Sequence, residues 1–302
     1  MKKKRIYADL ILLVVAFLWG TTFVGGKYAL NYFTPLYIIA IRFIMAFFMM
    51  AVAFRKDFMT LTKRDIRGGA VVGTILFIAF ATQLVALQYT EAGKQAFLAG
   101  TYVVMVPFIS WRLKRKRPET SSFVGAFICF MGIGLLTLNE SLTIGFGDGL
   151  TLFSSLFFAG HIISNGHYVD DIGPVKLTIT QFGIVAVLST LSALIFEPFP
   201  TRVASNGIFA VLYLGILCTG IAYFLQTIGQ KYALSTHTAI ILSLEAVFGS
   251  VLALFLLGEV FTFKMVLGCG SILAAILIIE LKGSRKEEPS YEEQALDNTS
   301  EI

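Results

Sequence analysis

Ten apolar segments dominate this chain, and each is long enough to cross a lipid bilayer as a single helix. At about 1.5 Å per residue, some twenty residues cover the roughly 30 Å hydrocarbon core. Lipid cannot satisfy backbone amides, so a spanning segment must be helical. The pattern therefore predicts an all-α integral membrane protein with ten transmembrane helices. The segments run approximately over 9–30, 35–54, 69–89, 94–111, 121–138, 149–168, 176–196, 207–228, 236–257 and 263–281.

The composition agrees with this fold class. Of the 302 residues, 56% are hydrophobic and 14% are charged, whereas soluble proteins are typically about 45–50% apolar. The net charge is +5, but the basic residues cluster at the ends of apolar segments. That placement is typical of membrane proteins, so we expect a lipid bilayer as partner and no nucleic acid. The three cysteines lie inside apolar segments without ligand spacing, and we expect neither a metal nor a cofactor.

The distribution of basic residues predicts the orientation. Of the 24 Lys and Arg residues, Lys94, Arg202 and Lys264 fall on one side of the predicted membrane. Lys27 and Arg42 lie within segments, and the other nineteen share the side of the N-terminus. Because basic loops stay in the cytoplasm, we expect a multi-pass protein of the cytoplasmic membrane with both termini cytoplasmic.

The chain also repeats itself. Sliding residues 83–134 onto 226–277 pairs Gln83 with Gln226, and the same shift pairs Tyr102 with Glu245. This divides the chain into 1–140 and 141–282, with five segments each, and the odd number makes the second repeat inverted. Inverted repeats around a central cavity are typical of alternating-access carriers. Residues 283–302 are acidic and poor in apolar residues, which predicts a disordered cytoplasmic tail.

Glu245 lies near the middle of the ninth segment and is the only formal charge in it. A carboxylate at the bilayer centre costs at least about 2.5 kcal/mol. It must therefore face a cavity or a partner, or be protonated. Two interpretations remain open: a structural hydrogen bond between helices, or a binding or proton site at the midplane.

Other polar or aromatic side chains at membrane depth are further candidates, each with a structural alternative. Lys27 could reach the outer interface or contact an anionic group of a substrate. Arg42 could pair with a carbonyl or with Glu245. His161 could carry a proton or simply pack. The full set of candidate substrate-binding or coupling residues is Glu245, Tyr102, Arg42, Gln83, Gln226, Trp19, Lys27, His161 and Tyr223.

Four stretches carry a family resemblance: WGTTFVGGK from Trp19, IRFIMAFF around Arg42, GKQAFLAGTYVVMVPF in the fourth segment and SLEAVFGSVLALFLLGE in the ninth. In this order they resemble EamA-type members of the drug/metabolite transporter superfamily over the chain up to Leu281. The resemblance implies ten helices, a central cavity and export of small metabolites. Many relatives carry proline where this chain has Ala246, so a kink is expected only at Pro107 of the fourth segment.

We therefore expect a secondary transporter for a small metabolite, such as an amino acid or amine. Outward transport by alternating access is expected, with protons as a candidate second substrate and a homodimer as a candidate assembly. No nucleophile elbow, HExxH motif or Walker loop is present, which argues against an enzyme. The alternatives are a membrane-embedded enzyme that uses Glu245 and His161 as an acid–base pair, or a passive channel.

Overall fold

The computed structural model describes residues 2–115, 117–118, 120–137, 144–200, 204–232 and 235–283. Every predicted apolar segment overlaps one or more helices. A π-helix, Leu214–Ile221, joins α10 to α11. In chain order the α-helices are α1 (Lys2–Ala29), α2 (Pro35–Ala53), α3 (Arg55–Met59), α4 (Lys63–Ala86), α5 (Ala92–Gly100), α6 (Tyr102–Lys114), α7 (Thr120–Thr137), α8 (Phe146–Ile172), α9 (Pro174–Phe196), α10 (Ser205–Tyr213), α11 (Ala222–Tyr232), α12 (Ser235–Leu257) and α13 (Phe263–Gly283).

The described residues contain seven helical stretches that are long and apolar enough to cross a membrane. Three shorter apolar helices, Thr120–Leu135, Ile241–Leu257 and Phe263–Ala275, accompany them. Over the residues that the structure describes, the fold is thus helical and that of a multi-pass membrane protein. The number of ten spans and the orientation of the termini remain predictions.

Two local features differ from the predicted segments. The fourth segment breaks at Thr101, between α5 and α6, because the Thr101 amide and hydroxyl both donate to the Leu98 carbonyl, at 3.3 and 2.6 Å. The sixth segment is predicted to begin at residue 149, whereas α8 begins at Phe146. Residues 138–143 and the predicted tail beyond Gly283 lie outside the described residues.

Helices from the two halves of the sequence pack closely against each other. The main contacts pair α7 with α13, α2 with α9, α1 with α12, and α4 with α8. Each pair joins a helix of residues 1–140 to one of residues 141–282. In the first pair a Cβ on Gly132 would lie 2.9 Å from the Gly268 carbonyl oxygen, so small residues bring the two backbones together.

The bundle has two polar ends. We call the end where α1 finishes and α2 begins the capped end; α5 and α8 begin there, and α9 and α12 finish there. The Lys94–Asp148 ion pair, 2.5 Å, lies at this end. At the opposite end the exposed pair Arg64–Asp171 joins the start of α4 to the end of α8 at 2.8 Å.

Candidate functional site

A small, largely enclosed cavity lies inside the bundle, where helices of both halves meet. Its volume is about 30 Å³, which holds about two water molecules. Because ligand sites for small molecules occupy roughly 300–1,000 Å³, the cavity must widen to admit a metabolite. Eight of the nine candidates from the sequence line it; the lining residues are Trp19, Thr22, Phe23, Arg42, Phe80, Gln83, Tyr102, Phe158, His161, Ile162, Tyr223, Gln226 and Glu245.

Glu245 and Tyr102 supply adjoining parts of the cavity wall, from α12 and α6. Glu245 is 6% exposed and Tyr102 is 3% exposed. The Tyr102 hydroxyl faces the Glu245 carboxyl and interacts with it, although the contact falls short of an ideal hydrogen-bond geometry. The carboxyl group thus lies at the cavity wall beside a phenol, where a proton or a cationic group can also reach it.

Arg42 enters the same cavity from α2. Its Nε donates to the Thr219 hydroxyl at 3.0 Å, and its guanidinium carbon lies 4.9 Å from the centre of the Phe80 ring, a cation–π contact. Its Nη2 has no hydrogen-bond partner among the described residues. No ion pair joins Arg42 to Glu245, so the pairing considered from the sequence is not formed. The cavity thus contains a cation and a carboxyl group that do not neutralise each other directly.

The π-helix places two groups that the sequence did not reveal. Its wider turn lets the Thr219 hydroxyl donate to the Leu214 carbonyl, five residues back, at 2.8 Å, while the same oxygen accepts from Arg42. The Cys218 carbonyl accepts from Trp19 Nε1 at 3.2 Å. π-Helices are rare and frequently occur at functional sites. The spacing of apolar residues does not distinguish this π-helix from an α-helix, so Thr219 was not identified from the sequence.

The aromatic part of the wall is centred on Tyr223. Its ring centre lies 4.6 Å from that of Trp19 and 5.9 Å from that of Phe80. His161 lies 5.8 Å from it, edge to face. The Nε2 of His161 is 2.9 Å from Gln181 Oε1, and since an amide oxygen only accepts, the ring N–H donates. His161 is therefore held by Gln181 on one side and by Tyr223 on the other.

Gln226 is the most unusual polar residue of the cavity. It is completely buried, and neither its amide nitrogen nor its oxygen has a hydrogen-bond partner among the described residues. Leaving such a group unpaired costs about 1–3 kcal/mol. Its sequence counterpart Gln83 is half-buried and lines the same cavity. Because an unpaired amide is unfavourable here, we expect a polar ligand or water to form the missing hydrogen bonds with Gln226.

Lys27 lies outside the cavity. Its Nζ donates to the carbonyl oxygens of Leu87 and Thr90, both at 2.7 Å, where α4 ends. It therefore satisfies carbonyls that a helix end leaves without partners. Its position does not bring it near Glu245 or Arg42. The sequence could not show this, because the bonding partners are sixty residues away along the chain.

The crossing of α1 and α12 fixes the separation of Trp19 and Glu245. A Cβ on Gly20 would lie 2.5 Å from the Phe248 Cβ and 3.1 Å from the Glu245 carbonyl oxygen. Only glycine permits this approach. The two backbones thus hold an indole and a carboxyl group at one level of the cavity.

A larger open groove of about 420 Å³ lies on the flank of the bundle. It runs beside α1 and α10 and is lined by uncharged residues, among them Tyr28, Asn206 and Tyr213. Because the groove is open and lacks charged groups, it is a poorer candidate than the internal cavity. No cluster of His, Cys, Asp or Glu that could hold a metal ion occurs in the part of the chain that the structure describes.

The chain is similar to known proteins over nearly its whole length. The model of the EamA-like transporter family matches twice, over residues 6–138 and 145–281. An uncharacterized transporter of Archaeoglobus fulgidus is 33% identical, over 92% of this chain and 87% of its own. The uncharacterized transporter YetK of Bacillus subtilis is 23% identical, over 97% and 93%. A solved crystal structure has the same fold, with a TM-score of 0.69, 18% identity and coverage of 92% and 99%.

Proposed function

Because this chain belongs to the EamA-like transporter family, we propose that it is a secondary transporter that exports a small ammonium compound in exchange for protons. The cargo class is that of amino acids and amines, and the membrane is the cytoplasmic membrane. The observation that carries the proposal is the buried Glu245 carboxyl in a largely enclosed cavity between the two halves. The relatives' names support a transporter rather than an enzyme.

Glu245 can couple the two fluxes because it is buried. An isolated carboxylate in a low-dielectric interior is strongly destabilised. The protein therefore converts between its inward-open and outward-open states only when a proton or an ammonium group neutralises Glu245. Since the two cannot occupy the carboxylate together, one cargo cation leaves for each proton that enters. No metal or cofactor is needed for this step.

Other groups of the cavity would bind the rest of the cargo. Arg42 presents an unpaired Nη2, which suits a carboxylate, and Gln226 presents an amide that can both donate and accept. The rings of Trp19 and Tyr223 offer an apolar surface against which a side chain can pack. The arrangement suits a dipolar cargo, with its ammonium group at Glu245 and its anionic or polar group at Arg42.

Alternating access would follow from the two halves. The family model matches each half separately, and the main helix contacts join one half to the other. Both observations support two inverted repeats, 1–140 and 141–282, that rock about the cavity. The excess of basic residues on one side supports a cytoplasmic location for both termini, with the capped end outside.

The test uses the full-length protein in liposomes. Vesicles are loaded with a panel of amino acids and amines, and efflux is followed when an inward proton gradient is imposed. We expect uphill movement of at least one compound. Glu245→Gln should insert and fold normally but lose proton-driven transport, and Glu245→Asp should keep part of it. Glu91→Gln, an exposed carboxyl outside the cavity, is the matched control and should transport normally.

Each other outcome is informative. Undiminished uphill transport by Glu245→Gln would contradict the coupling role of Glu245. Chemical conversion of a compound would favour an enzyme that uses Glu245 and His161. Downhill leak without accumulation would favour a passive channel.

A further inference from the structure

Glu259, just beyond α12, caps a helix of the other half. Its carboxylate accepts from the amide of Ala92 at 2.8 Å and from that of Gly93 at 2.9 Å. These are the first amides of α5, which a helix leaves without internal partners. A Cβ on Gly93 would lie 2.7 Å from Phe261 and 3.0 Å from Glu259 Oε2. The contact thus depends on a bare backbone at Gly93.

Glu197, at the end of α9, does the same for α2. Its carboxylate accepts from the Leu36 amide at 3.0 Å and from the Tyr37 amide at 3.1 Å. The Thr34 hydroxyl donates to it at 2.6 Å. Both carboxylates belong to residues 141–282, both capped helices belong to residues 1–140, and both contacts lie at the capped end.

Neither capped helix has a side-chain cap of its own. Glu91 at the start of α5 and Thr34 at the start of α2 make no capping bond. By contrast α4, which begins at the opposite end, has a complete local capping box of Thr62 and Asp65. Separation of the halves at the capped end would therefore uncover the amides of α2 and α5, whereas the cap of α4 comes from residues of its own half.

An ion pair strengthens the same end. Lys94 of α5 contacts Asp148 of α8 at 2.5 Å, with side-chain exposures of 19% and 5%. Asp148 also accepts from the Thr90 hydroxyl at 2.7 Å. These contacts again join the first half to the second. The capped end is thus closed by three carboxyl groups, all from the second half.

The cap formed by Glu259 has no equivalent in the first half of the sequence. The shift that pairs Gln83 with Gln226 also pairs Arg115 with Gly258, and both have positive φ, 56° and 67°, just beyond α6 and α12. The next position is Glu259 in the second half but Lys116 in the first. An ammonium group cannot accept from helix amides, so the sequence provides this carboxylate at the capped end alone.

From these contacts we propose that Glu197 and Glu259 form a latch that holds the capped end closed and so decides from which side the cavity opens. The inference rests on the proposed alternating-access transport. Release of the latch exposes the amides of α2 and α5 to water and opens the cavity at the capped end. Hydrogen bonds to charged groups contribute about 1.5–3 kcal/mol. Removing one carboxylate should therefore raise the open fraction at least about tenfold, because 1.4 kcal/mol is a factor of ten.

The experiment measures access to the cavity and needs no cargo. Cys129, Cys218 and Cys269 are replaced by alanine, and Thr22, which lines the cavity, is replaced by cysteine. A membrane-impermeant thiol reagent is supplied only on the side of the capped end, in whole cells or in inverted vesicles as labelling at position 144 dictates. Glu259→Ala and Glu197→Ala should each raise the labelling rate about tenfold, and the double variant should raise it further. Glu259→Gln, which keeps one acceptor oxygen, should give a labelling rate between those of the unchanged protein and of Glu259→Ala.

Two controls make the result decisive. Glu91→Ala removes a carboxyl group from the same helix start, one that makes no cap, and should leave the rate unchanged. A cysteine at the fully buried Thr178, outside the cavity lining, reports unfolding and should remain unreactive in every variant. An unchanged rate in the double variant overturns the latch, and so does an equal rise in Glu91→Ala or at position 178. A failure of liposome transport with intact latch behaviour would instead overturn the proposed function alone.

Discussion

Tyr102 and Glu245 occupy equivalent positions in the two halves of the sequence, and they line one cavity from α6 and α12. The first half thus contributes a neutral phenol where the second contributes a carboxyl group. A second carboxyl group at this position would make ionisation of the first less favourable. Among the lining residues Glu245 is the single acid, and one acid can carry one proton at a time.

Replacing Gln226 by leucine should separate stability from binding. Both polar atoms of its amide are buried without a protein partner, so their removal should leave the melting temperature unchanged or higher, by an amount corresponding to about 1 kcal/mol. Cargo affinity should fall about tenfold, because one polar contact is lost. Thermal unfolding and the half-saturating cargo concentration measure the two effects. Gln88→Leu, at an exposed position outside the cavity, is the control; a lower melting temperature with normal affinity would contradict the binding role.

Thr219→Val should weaken cargo binding, because Thr219 holds the Arg42 side chain. Valine has almost the shape of threonine but removes the hydroxyl that accepts from Arg42 Nε. We expect about a tenfold higher half-saturating concentration for the cargo, since a hydrogen bond to a charged group is lost. Thr219→Ser should restore most of the affinity. Thr190→Val is the control, because the Thr190 hydroxyl bonds only to its own helix at Ala186; equal losses in both variants would rule out a specific role for Thr219.

Gly20→Ala should destabilise the protein, whereas Gly160→Ala should not. Both glycines lie inside helices, but a Cβ on Gly20 would lie 2.5 Å from Phe248 and a Cβ on Gly160 would lie 3.6 Å from Ile75. Overpacking of this kind costs about 1–3 kcal/mol. Thermal unfolding in detergent measures the difference. Equal melting temperatures would show that the α1–α12 crossing relaxes without cost.

Thiol labelling should establish the orientation. Lys63 and Ile144 are both exposed and lie at opposite ends of the bundle. With a cytoplasmic N-terminus, a cysteine at 144 should react with an impermeant reagent in intact cells, and one at 63 should react only after lysis. The reverse pattern would invert the predicted topology and, with it, the outward direction of transport.

Most of the cavity could be found from the sequence because the cost of burying a polar group in lipid is local. Glu245, Arg42 and Gln226 each interrupt an apolar segment, so each required a polar cavity or partner wherever its helix came to lie. Lys27 was a candidate for the same reason, but it lies near a segment end, where its long side chain reaches the Leu87 and Thr90 carbonyls instead of the cavity. The π-helix was missed because no apolar spacing distinguishes it from an α-helix.

The sequence alone therefore determined the helical membrane fold and the polar groups that must avoid lipid, since these follow from solvation and periodicity along the chain. It could not determine which distant groups meet. Glu259 lies 167 residues from the Ala92 amide that it caps, and Glu197 lies 161 residues from that of Leu36. In the sequence both are simply acids at segment ends. Only the packing of one half against the other makes them caps, because a helix amide donates a hydrogen bond to any carboxylate that the tertiary structure brings within reach.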